Sequence, residues 1–138
     1  MTANEYLRQM RTIGYQIRAK KRELENLKSD ALFLSSPVLS ERVQGGEMHT
    51  GNKDIENILE LEQMIARNIS NKISLQVDVH KKLDTIKDGR YNAILTDYYI
   101  NGLTHEQIAH DIGYGTQTVS NLKGEALTAF RNSFGDNF

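Results

Sequence analysis

What most constrains this chain is the spacing of its apolar residues over two long stretches. From Tyr6 they recur in steps of three and four, through Met10, Ile13 and Ile17 to Leu24, Leu27, Ala31 and Leu34. A heptad-like stripe of this kind fits one face of an α-helix. Thr2 and Glu5 stand at capping-box spacing, in which hydroxyl and carboxylate each satisfy a backbone N–H of the first turn. One amphipathic helix over about residues 3 to 33 is predicted, with Lys20 interrupting the stripe at some cost in stability while fixing register. Ile55, Ile58, Leu59, Ile65, Ile69 and Ile73 begin a second stripe, and Leu75, Val79, Leu83 and Ile86 continue it on a drifting face. Its helix is expected to start near Asp54 and close at Lys87-Asp88-Gly89, with Gly89 as the left-handed C-cap residue. Neither helix can bury its stripe alone, so the expected solution is a long antiparallel, coiled-coil-like hairpin that a second chain can double. The connection over 35–53, punctuated by Pro37, Gly45, Gly46 and Gly51, is expected to be a partly mobile loop.

After Gly89 the pattern changes to three short helices. Tyr91, Ile94, Leu95 and Tyr98 supply the first apolar face, and Asn101-Gly102 stops it. Thr104 and Gln107 form another capping box. Ile108, Ala109 and Ile112 then face inward before Gly113 turns the chain. A last helix, about Thr116 to Phe130, buries Val119, Leu122, Ala126, Leu127 and Phe130. Small Ala109 suits a close helix crossing, Gly113 a sharp turn, and Val119 the plug between two helices. This is the pattern of a helix-turn-helix, whose second helix lies in the major groove. The chain is thus expected to be all-α, with a helical hairpin over 1–89 for oligomerisation and a helix-turn-helix domain over 90–138.

The outward side of the last helix carries chemistry that reads DNA. Gln117 and Asn121 suit adenine edges, Thr116 and Ser120 suit bases or phosphates, and Lys123 a phosphate. Thr104 and His105 place a helix N-terminus where it meets the DNA backbone. Charge is less favourable. Residues 1–30 carry seven basic and four acidic side chains, whereas residues 90–138 carry three basic and five acidic. The net charge of −1 argues against a histone-like, non-specific binder.

The segment AILTDYYINGLTHEQIAHDIGYGTQTVSNLKGEALTAF resembles region 4 of sigma-70-type transcription factors. The markers are Tyr98, Gly102, Leu103, Thr104, Glu106, Ile108, Ala109, Gly113, Thr118, Val119, Ala126 and Leu127. The whole chain, with MTANEYLRQM and SSPVLSERVQ before that segment, is similar to small phage and prophage proteins, the ArpU-like late-transcription regulators. The resemblance implies a phage or prophage regulator acting on double-stranded promoter DNA alongside RNA polymerase. Gly115 stands where the family often has a Ser or Thr cap, and Thr116 and Ser120 where it often has arginine.

Other classes find less in the chain. There is no cysteine, which removes disulfides and thiolate chemistry. No apolar run suggests a membrane span or a signal peptide, so a cytoplasmic location is expected. His105 and His110 are five apart, roughly 140° around a helix, which does not suit one metal ion. Neither an enzyme nor a cofactor is expected. Three readings remain open: a DNA-binding regulator dimeric through its long helices, an adaptor that docks on RNA polymerase or another regulator without reading DNA, and a structural helical protein with no nucleic-acid role, for which only the helical stripes argue.

Overall fold

The computed structural model describes residues 1–34 and 48–138. All regular structure among the described residues is helical. Helix α1 spans Ala3–Leu34 and α2 spans Met48–Leu83. Helix α3 (Gly89–Leu95) runs directly into a π-helical turn at Thr96–Ile100. Helices α4 (His105–Ile112) and α5 (Thr116–Phe134) follow. No described helix is long and apolar enough to cross a membrane.

The start of α1 follows its sequence signal. Glu5 N–H donates to Thr2 Oγ1 at 3.2 Å, and Thr2 N–H donates to Glu5 Oε2 at 2.8 Å. The bounds of α2 require correction at both ends. It is already helical from Met48, inside the expected loop; residues 35–47 of that loop lie outside the described residues. At its far end α2 stops at Leu83, where the chain tightens: Thr85 N–H donates to Lys82 O and Ile86 N–H to Leu83 O. Gly89 is not a left-handed cap. Asp88 is the N-cap of α3, its carboxylate accepting from Arg90 N–H at 2.9 Å, and Gly89 is the first residue of that helix. The cap at Asp88 outweighs the stop signal of the glycine beside it.

The chain divides into two compact units, one of Met1–Tyr15 with Asn71–Phe138 and one of Gln16–Ser70. Residue 89 lies inside the first unit. Its main core joins Ala3, Tyr6, Leu7 and Met10 of α1 to Val79 and Leu83 of α2, and these to Leu95, Tyr99, Ile100, Ala126 and Phe130. The Tyr6 hydroxyl donates to Asp78, and the Tyr99 hydroxyl donates to Asn4 Oδ1 at 3.1 Å. Phe138 stacks on Tyr6 with ring centroids 4.5 Å apart, while its N–H donates to Met1 O. Asp136 accepts from Ala3 N–H and from Arg131 Nε.

The second unit buries Ile17, Leu24 and Ile65. Lys28 pairs with Glu62 at 3.1 Å. With its amide turned to satisfy both ends, Asn68 accepts from Lys20 Nζ at 2.6 Å and donates to Met64 O. Lys20 therefore interrupts the apolar stripe with a specific polar partner. Leu27, Ile55 and Leu59, expected along the stripes, stay exposed.

Candidate functional site

The candidate surface is built on α4, the turn after it and the first half of α5, all within the first unit. Both halves of the capping box at Thr104 are present: Gln107 N–H donates to Thr104 Oγ1 at 3.2 Å, and Thr104 N–H to Gln107 Oε1 at 2.9 Å. Gly113 closes α4 at φ 76°, with its N–H donating to Ala109 O. This left-handed conformation costs a side-chain-bearing residue strain and costs glycine none. Gly115 is the N-cap of α5 and supplies no side-chain bond. Ile94, Ile108, Ala109, Val119 and Leu122 form a second core cluster, which fixes the two helices against α3. Ile112 and Leu127, expected to be buried, are only partly so. Helix α5 continues one turn beyond its expected end at Phe130, to Phe134, and Phe130 and Phe134 lie 5.0 Å apart.

With Val119 and Leu122 facing inward, Thr116, Gln117 and Asn121 project outward and are exposed; Ser120 is half-buried beside them. Gln117 Nε2 donates to Asn121 Oδ1 at 3.1 Å. The two amides thus form one unit that presents Gln117 Oε1 as an acceptor and the Asn121 amide N–H groups as donors.

The other residues expected at this surface have different surroundings. Thr104 is exposed, but its hydroxyl oxygen is engaged in the cap. His105 lies parallel to the ring of Tyr98, with centroids 5.1 Å apart and planes at 20°. Its Nε2 is buried without a hydrogen-bond partner. Lys123 Nζ sits 3.9 Å from the centre of the same ring. Arg11, from α1, covers that ring at 4.0 Å and donates to Tyr98 O at 2.5 Å and Leu103 O at 3.0 Å. Burial, then Lys123 and Arg11, holds the His105 pKa below its ordinary value. Lys123 and His105 are therefore parts of an aromatic–cation cluster centred on Tyr98.

Sequence reasoning missed Arg11 because it lies 87 residues from Tyr98 along the chain. The π turn was missed as well, and it carries the cluster. Its wider coil leaves Tyr98 beside His105 while Tyr99 and Ile100 are buried in the main core. Tyr114 was also passed over. It is exposed in the turn before α5. No group of three or more His, Asp or Glu side chains able to hold a metal ion occurs among the described residues.

No curated protein and no solved structure matches the chain. A family model described as a protein of unknown function, DUF1492, matches residues 33–131, from the end of α1 into the last turns of α5. That match covers well over half of the sequence, and the chain belongs to the DUF1492 family.

Proposed function

We propose that this protein is a phage or prophage transcription regulator that binds promoter DNA through α4, the Gly113 turn and α5, used as a sigma region 4-like helix-turn-helix. Helix α5 is the recognition helix in this proposal. The long helices α1 and α2, as an antiparallel hairpin, hold two copies together or present the head beside RNA polymerase. The observation that carries the proposal is the linked amide pair Gln117–Asn121, held outward by buried Val119 and Leu122. An acceptor and a donor fixed side by side match the N6–H and N7 of adenine in the major groove.

The bonded geometry makes the pair act as one. Gln117→Ala or Asn121→Ala should each cost about 1–3 kcal/mol of affinity and relax specificity at one base pair. The double variant should cost little more than either single, because each removal leaves the other amide unpositioned. Fluorescence anisotropy on fragments selected from the source genome measures this. Equal affinity of wild type and both single variants would remove the assigned face.

A second proposal, the adaptor, is favoured by the engagement of the head's cations. Lys123 lies on Tyr98, Arg131 pairs with Asp136 and Arg90 with Asp88, while Glu106 and Asp111 are exposed. DNA affinity depends on phosphate neutralisation and falls steeply with salt. An adaptor would bind polymerase at high salt and leave promoter DNA unshifted at low salt; the regulator would do the reverse.

A further inference from the structure

We infer, resting on the DNA-binding reading above, that a DNA sugar–phosphate strand passes over Gly124, where bare backbone sets how deep α5 sits in the major groove. Gly124 stands in the middle of α5, eight residues after Thr116 and ten before Phe134. After proline, glycine is the poorest helix former, because it loses the most backbone freedom and packs nothing. Within the described structure nothing calls for it there. Gly113 and Gly135 take positive φ, whereas Gly124 does not. No atom lies within 4 Å of the place where its Cβ would stand, and the residue is exposed. A glycine that neither turns the chain nor makes room inside it is suited to close approach from outside.

Its surroundings keep that approach open. At about 100° per residue, Gln117, Asn121, Gly124 and Thr128 lie within roughly 60° of one another, and all four are exposed. The glycine therefore continues the face that carries the linked amide pair. The charged residues on either side of it are held away from this face. Lys123 Nζ lies on the Tyr98 ring at 3.9 Å, and Glu125 accepts from the Tyr91 hydroxyl at 2.9 Å. One turn on, the Thr128 hydroxyl donates to Gly124 O at 3.1 Å, so it folds back onto the helix.

Distance selects the occupant. In a helix-turn-helix the N-terminal residues of the recognition helix reach the base edges, and its later turns come out past a strand that bounds the groove. The major groove is about 12 Å wide, so that strand lies about 6 Å from its middle. Gly124 is five residues beyond the middle of the Gln117–Asn121 pair, about 7.5 Å along the helix axis. With the amides on base edges, the strand falls at Gly124. A Cβ there would hold the strand off and lift the amides from the bases. Backbone contact of this kind fixes register without a cation, which suits a head whose Lys123 is engaged elsewhere.

Gly124→Ala should therefore move stability and affinity in opposite directions. In the full chain the melting temperature should rise by roughly 3–5 °C, as an exposed helical glycine gives way to alanine. The probe for affinity is a fluorescein-labelled duplex, the tightest-binding fragment selected from the source genome. Affinity for it should fall about tenfold, with unchanged salt dependence because no charge is altered. Gly124→Leu should bind more weakly still while also melting above the wild type. Equal affinity of the wild type and both variants overturns the inference. So does a loss of affinity accompanied by a lower melting temperature, since the fold would then be what was disturbed. In both cases Asn121→Ala still reports base reading, so the proposed function stands or falls separately. A wild type that shifts no duplex at low salt removes both.

Discussion

Tyr98 carries Arg11 on its ring at 4.0 Å, Lys123 at 3.9 Å, and His105 parallel beside it. From the sequence, His105 and Lys123 are a polar pair near a helix N-terminus, with no sign that a tyrosine seven residues before His105 engages both. Residue type gave their charge, while only packing gives their neighbours. Gln117 and Asn121 were legible because four residues on a helix always share a face. For His105 the surroundings have a consequence in pH. Burial first, then the two cations, holds its pKa below 6.5. As pH falls, the unfolded chain takes up this proton before the folded one. The His105 contribution is thus fully present above about pH 6.5 and is lost as pH falls through the lower folded value. Urea midpoints for the wild type should fall more steeply between about pH 7 and about pH 5 than those of His105→Phe, which keeps the stacked ring. Identical pH slopes for the two would mean that the imidazole feels neither burial nor its cations.

Among the elements, α4 and α5 were the most legible, because local chemistry decides their ends. The Thr104–Gln107 box starts α4, and Gly113 at φ 76° ends it. That angle is the reason for the glycine, since the space around an added Cβ is open. Gly113→Ala should therefore destabilise the chain by about 1–2 kcal/mol through backbone conformation alone, without any clash. Gly113→Asn should cost less, because asparagine tolerates the left-handed region better. Denaturant melts of the two variants test this; a neutral alanine would mean that the turn relaxes to negative φ. The end of α2 and the π turn were less legible. At Gly89 two local signals compete within three residues, and the Asp88 cap prevails. A π turn has no residue signature, since it arises where the packing of Tyr99 and Ile100 demands an extra residue in the coil.

For the first unit as a whole, the sequence marks a helix-turn-helix domain over 90–138, and the core joins that segment to residues from elsewhere in the chain. Leu95, Tyr99, Ile100, Ala126 and Phe130 are buried against Ala3, Tyr6, Leu7 and Met10 from one end of the chain and Val79 and Leu83 from α2. These contacts join residues far apart in sequence, so no local pattern announces them. Periodicity marks which face of α1 is apolar without saying what covers it. Leu7, Met10, Val79 and Leu83 are each fully buried, and burial of such side chains stabilises by about 1.5–3 kcal/mol apiece. Their combined contribution is comparable to the whole stability of a small domain. The second cluster, around Ile94, Ile108 and Val119, holds α4 to α5 but is too small to replace them. A fragment of residues 90–138 should accordingly show helical signal without a cooperative thermal transition, and should bind a dye that reports exposed apolar surface. In the full chain, Leu7→Ala should lower stability by about 2–5 kcal/mol although it lies nearly a hundred residues before α4. A cooperative melt for the isolated fragment, at the midpoint of the full chain, would show that the second cluster suffices. The N-terminal turns of α1 would then be ornament to the candidate surface, where the packing makes them its foundation.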